Sequence, residues 1–216
     1  MKTKKVISLL LCIVILSMSL SSLIYADTEE KVSSSLNLDK KSQNILDNVA
    51  KKHDGVKAVP IDQIEELKNV DTKDFIKINS EEELEALIKA LRSDQQNEDT
   101  EIVNSLSTES IVSYYEHIKW WAPASSVAAG VFCYKHIIFN YTLDGPSLTG
   151  LSEFSSYVSG FLNASSWHQN YADYSLIGDI GAEIDVDGYW ILGVEIGGHP
   201  IGFTIDDVWY RTWYWD

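Results

Sequence analysis

Apolar and polar residues follow two different periods along this chain. In the N-terminal part the spacing is helical. Leu46, Val49 and Ala50 share one face of a helix, and so do Ile61, Ile64 and Leu67 behind Pro60, a residue suited to a first helical turn. Asn79 or Ser80 stands before Glu82 and Glu83 as in a capping box, and Leu84, Leu87, Ile88 and Leu91 then line a single face. Between these helices, 74–78 alternates as a short strand. The polar, unpatterned stretch 93–100 reads as part of a linker.

After this stretch the period falls to two. The odd positions from Val127 to Leu143 form one apolar face, interrupted at Lys135. Ile180, Ala182, Ile184 and Val186 alternate, as do Trp190, Leu192, Val194 and Ile196. An odd-length loop keeps the two faces together, so the spacing predicts a hairpin whose loop is Val186, Asp187 and Gly188 and which pairs Ile184 with Trp190. A second turn at 197–200 leads into Ile201, Phe203 and Ile205, and then into Val208–Trp215, which carries aromatic residues on both faces. Leu148, Leu151, Phe154, Val158 and Phe161 fit helix or strand equally well. Strands at about 10-residue spacing with glycine-rich turns predict an antiparallel sandwich or barrel.

The first 26 residues add a destination. Lys2, Lys4 and Lys5 precede an apolar run from Val6 to Leu16, and small and apolar residues continue to Ala26 before the acidic start at Asp27. This is the layout of a secretory signal cleaved near Ala26. If it stays uncleaved, the same segment is the expected contact with membrane. The destination is then outside the cytoplasm, secreted or at the cell envelope. Once Cys12 is lost with the signal, Cys133 stands alone and no intrachain disulfide can form.

Composition sharpens the division. Residues 27–109 hold 20 acidic and 11 basic residues with one aromatic, Phe75, whereas residues 110–216 hold 12 acidic and 3 basic residues together with all 7 Trp. The expected organisation is α+β: a signal over 1–26, a charged helical leader or subdomain over 27–92, a linker over 93–107, and an aromatic-rich all-β domain over 108–216. The apolar area of 27–92 is too small for independent stability against an ordering cost of about 1.5 kcal/mol per residue. That segment is a removable leader, an arm, or a subdomain packed on the second half. Without the signal, 14 basic residues stand against 32 acidic ones, a formal charge of −18. Such a field repels phosphate backbones, which argues against nucleic acid as a partner.

Templates for catalysis match poorly. No G-x-S-x-G occurs, and Cys133 and His136 fall on opposite faces of one strand. The five histidines have no metal-ligand spacing, so neither a metal nor a cofactor is expected. In the predicted hairpin register Asp179 faces Glu195, a carboxylate pair suited to glycoside hydrolysis. The aromatic residues are the other candidate, with Trp120, Trp121, Trp209, Trp213 and Trp215 expected to stack on sugar rings or anchor in a protein, the alternative being that the strand from Trp209 to Trp215 fills the core.

The tail Val208–Trp215, at the end of a secreted chain, resembles small secreted β-sandwich bacteriocins of the lactococcin 972 type. The likeness is confined to that tail and includes no alignable motif. It implies an antibacterial protein released from its leader. The reading carried forward from the residues is a non-catalytic extracellular β domain that binds an envelope glycan or another extracellular protein. The bacteriocin and the glycan hydrolase stand as alternatives.

Overall fold

Two very long antiparallel strands, β8 (Gly181–Ile196) and β9 (His199–Tyr214), form the spine of the molecule in a computed structural model. The structure describes residues 36, 38–92, 98–103, 111–122, 131–162 and 164–215, with 98–103, 111–113, 120–122, 131–132 and 161–162 described by backbone alone. The expected signal segment lies outside them. Asp39–Asp216 form one unit, mostly antiparallel sheet with two helices, α1 (Lys40–Lys52) and α2 (Glu81–Arg92).

Around the spine run β1 (Val56–Val59), antiparallel to β9, and β2 (Ile76–Ile78), parallel to one end of β8. At the other end of β8 lies β7 (Ser165–Ile177), antiparallel. A second sheet has the order β3 (Glu98–Val103), β4 (Ile111–Ala122), β5 (Val131–Asp144), β6 (Ser147–Leu162), all antiparallel. The N-terminal helical region thus supplies two strands to the spine sheet. Part of the expected linker is strand β3, held by the ladder of β4; residues 93–97 and 104–107 lie outside the described residues.

The capping signals around α2 form as their spacing predicts. The Glu83 amide donates to Ser80 Oγ at 3.3 Å, and Glu83 Oε2 accepts from the Asn79 amide at 2.7 Å. Leu84, Leu87, Ile88 and Leu91 are all buried. Asp39 caps α1, accepting from the amides of Lys41 and Ser42, and Ser42 Oγ reaches the Ile196 carbonyl at the end of β8. Residues 61–74 make three short 3-10 turns rather than one helix, because Ile64 is extended at φ −111° and ψ 109°. Their apolar residues are still used. Ile64, Leu67 and Phe75 cluster on Ile191.

The hairpin expected at 186–188 is absent. β8 runs straight through Gly188, which pairs with Asp207, so Ile184 faces Arg211 and Trp190 faces Ile205. Gly188 serves packing instead of turning the chain. A Cβ there would lie 2.4 Å from the Trp167 ring and 2.3 Å from the His168 carbonyl. The actual reversals are at 178–180 and at Gly197 and Gly198, both with positive φ.

The ambiguous segment 148–161 is β6. Register shifts between Ile138 and Asn140 and between Thr142 and Leu143 insert extra residues into it, and Glu153 adopts φ 53°. Each insertion stretches the two-residue period to three, so buried Leu148 and Leu151 and half-buried Phe154 have helical spacing on a strand.

Even positions of β8 and odd positions of β9 share one face, and the second sheet and the helices cover it. Phe139 and Tyr141 of β5 meet Trp213 at ring-centroid distances of 5.1 and 4.9 Å. Farther along, the buried Lys135 ammonium approaches Asp207 Oδ2 at 3.5 Å. That oxygen also accepts from the indoles of Trp190 at 3.1 Å and Trp209 at 3.0 Å.

Candidate functional site

The structure redistributes the residues that the sequence singled out. Trp209 and Trp213, expected to be surface anchors, are 0 % and 6 % exposed. The odd positions of β9 point inward, so both rings fill the space between the sheets and present no binding surface. Trp215 is half-buried, and its indole donates to the Asp179 carbonyl at 3.1 Å, fastening the chain end to the 178–180 turn. The backbones of Trp120 and Trp121 run in β4 opposite Lys135 and Tyr134; their side chains lie outside the described residues. Asp179 and Glu195 do not face each other. Asp179 sits in the turn that enters β8, and Glu195 pairs with Pro200 near the far end of the same strand. The facing pair required the hairpin at Gly188, and without that hairpin the geometry for hydrolysis is lost.

A different set converges on the outer face of the second sheet. In β4, β5 and β6 the residues pointing away from the spine include His117, Lys119, Tyr134, His136, Tyr157 and Ser159. Their ladder positions make them neighbours: His136 lies opposite Lys119 on one side and Tyr157 on the other, and Tyr134 lies opposite Ser159. His136 Nδ1 is 2.8 Å from His117 Nε2, and His136 Nε2 is 2.6 Å from Ser159 Oγ. The Tyr157 ring stacks on His136 with centroids 4.3 Å apart and planes at 3°. The Lys119 ammonium sits 4.3 Å above the Tyr134 ring. Both tyrosines are open to solvent, Tyr134 at 38 % and Tyr157 at 41 %.

The Ser159–His136–His117 chain has the connectivity of a nucleophile, a base and an orienting group. Its electrostatics point away from catalysis. Burial, and then the nearby His117 and Lys119, push the His136 imidazole down to about 4. A base so far below neutrality gains little from proton transfer at ordinary pH. Neutral His136 instead holds a hydrogen-bonded line from His117 to Ser159, with the exposed Tyr157 ring stacked on it.

On the inner face, Cys133 is buried and unbridged, and burial raises its thiol to about 11, as befits an inert core residue. Glu116 is 0 % exposed, and burial pushes its carboxyl up to about 7 against a smaller opposing pull from Trp213. Among the described residues no group of three or more His, Cys, Asp or Glu is placed to hold a metal ion.

Sequence reasoning missed the outer-face set because its members come from three strands whose order the sequence does not reveal. The available signal was parity. His136 was legible as the residue facing away from Cys133, and the register of β4 then places His117 and Lys119 beside it. Comparisons with protein-family models, curated proteins and solved structures find no match to this chain.

Proposed function

We propose that this is an exported, non-catalytic β protein that binds a glycan of the cell envelope through the outer face of β4, β5 and β6. The observation that carries this reading is the pair of exposed tyrosine rings, Tyr134 and Tyr157, on one sheet face beside the ordered His117–His136–Ser159 chain. Flat aromatic faces match the C–H faces of sugar rings, and fixed neutral donors and acceptors match hydroxyl groups. Lys119 adds a cation to this face in an otherwise acidic chain, which suits a glycan bearing carboxylates. The low basicity of His136 favours binding over hydrolysis.

The test is co-sedimentation of the full chain with insoluble envelope glycan, before and after protease treatment of that glycan. Binding that survives protease and falls at least tenfold in Tyr157→Ala supports the proposal; a loss of about 2 kcal/mol is usual for a central aromatic anchor. Binding abolished by the protease points to a protein partner and overturns it.

A further inference from the structure

Asp207 and Lys135 meet in a buried, aromatic site where the two sheets touch. The Lys135 side chain is 0 % exposed and that of Asp207 is 5 % exposed. The ammonium lies 5.2 Å from the Trp209 ring centre and 5.9 Å from that of Trp190, and Trp167 stacks on Trp209 at 4.0 Å. Two features distinguish this arrangement from an ordinary buried ion pair. First, its N···O distance of 3.5 Å is well beyond the roughly 2.7–2.9 Å of a charge-assisted hydrogen bond. Second, two indole N–H groups converge on the same oxygen, Oδ2, at 3.0 and 3.1 Å. Two fixed donors on one carboxyl oxygen hold a carboxylate, and would equally hold the oxyanion of a tetrahedral intermediate formed at Cγ.

From this geometry we infer that Lys135 and Asp207 join in an intramolecular amide bond that staples β5 of one sheet to β9 of the other. A proton passes from Nζ to Oδ1 of the carboxyl group, leaving an uncharged amine and acid. The Nζ lone pair attacks Cγ, and Oδ2 takes up the displaced electron pair against the Trp190 and Trp209 N–H groups. The remaining oxygen, Oδ1, leaves as water with a proton from Nζ as the carbonyl reforms. One N–C bond forms, one C–O bond breaks, and no oxidant or reductant is consumed. The attack is intramolecular, so the cost of bringing the two groups together is met by the fold. Asp207 also lines a surface cleft of about 370 Å³ with Arg92, Asp187 and Asp206, which gives the released water a way out. The bond would give an exported chain without a disulfide a covalent link between its sheets.

The test is the intact mass of the purified full chain, with its N-terminus read by sequencing, alongside a proteolytic digest. The expected result is a mass one water below that of the sequence, a digest peptide joining the segments around Lys135 and Asp207, and full mass in Lys135→Arg. Wild-type protein at full mass overturns the inference. So does a water loss that persists in Lys135→Arg, because it then belongs to ring closure at Asp54-Gly55, Asp144-Gly145 or Asp187-Gly188. If Lys135→Arg fails to fold, the wild-type digest decides alone.

Discussion

The two ends of the β8–β9 spine are covered by chemically different material. Near Leu192, Val194, Ile201 and Phe203 the cover is aliphatic, with Val49, Leu84, Leu87 and Leu91 of the helices buried and Ile64 and Leu67 packed behind Gly202. Near Ile184, Val186, Trp209 and Trp213 the cover is β5, which brings aromatic rings and the buried Lys135, while Glu116 of β4 is buried beside it. An aliphatic cover supplies mainly non-directional burial, joined here by hydrogen bonds from Ser42 to the Ile196 carbonyl and from Arg92 to the Asp206 carbonyl. At the second end Lys135, Asp207 and the indoles of Trp190 and Trp209 meet, so this end carries specific polar contacts and, on its far side, the candidate binding face. The helical end stabilises the spine, and the sheet end gives it chemistry.

The strongest attempt to break this division is to remove residues 39–92. The spine would then lose β1, β2 and the whole aliphatic cover, exposing Leu192, Val194, Ile201 and Phe203. A fragment beginning at residue 98 is expected to show no cooperative thermal unfolding by circular dichroism. A fragment that folds well would mean that the ends are independent and would favour release from a leader. Next in size, Leu87→Ala in the full chain should cost about 2–5 kcal/mol in denaturant unfolding, as a large-to-small change in a packed aliphatic core.

Smaller, pH-dependent effects belong to the sheet end, one on its inner face and one on its outer face. Glu116 is raised to about 7 when folded, so its contribution is fully present below its ordinary value near 4.5 and is lost as pH rises through 7. His136 is depressed to about 4, so its contribution is present above 6.5 and is lost as pH falls through 4. The two slopes oppose each other between about pH 4.5 and 6.5, which should leave the wild-type stability nearly flat there. Glu116→Gln is expected to add up to about 3 kcal/mol at pH 8 and nothing at pH 4. A gain equal at both pH values would show that ionisation of Glu116 is not the cause. Smallest of all, Tyr157→Ala should change stability by no more than about 1 kcal/mol in the same unfolding assay, since the part-exposed ring stacks on His136 outside the core.

The sequence made legible those parts of the fold in which local pattern and packing agree. The odd-position face of β5 and the buried stripe of α2 are of that kind. Gly188 misled because Asp-Gly is a turn signal in isolation, while here the glycine makes room for the Trp167 ring from a neighbouring strand. β6 stayed ambiguous because two bulges give a strand the apolar spacing of a helix. The tryptophans of β9 read as surface or core alike because a strand aromatic on both faces does not say which face is covered. Parity with Ile205, Asp207 and Arg211 turns Trp209 and Trp213 inward. The outer-face set depended on strand order, which only the long-range pairings supply.

The most direct measurement is a chemical-shift titration of the isotope-labelled full chain with solubilised envelope glycan. The account predicts shifts concentrated at residues 115–119, 134–138 and 155–159, with the His136 ring resonances among the most affected. Absence of shifts, or shifts centred on the helical end of β8 and β9, would contradict it.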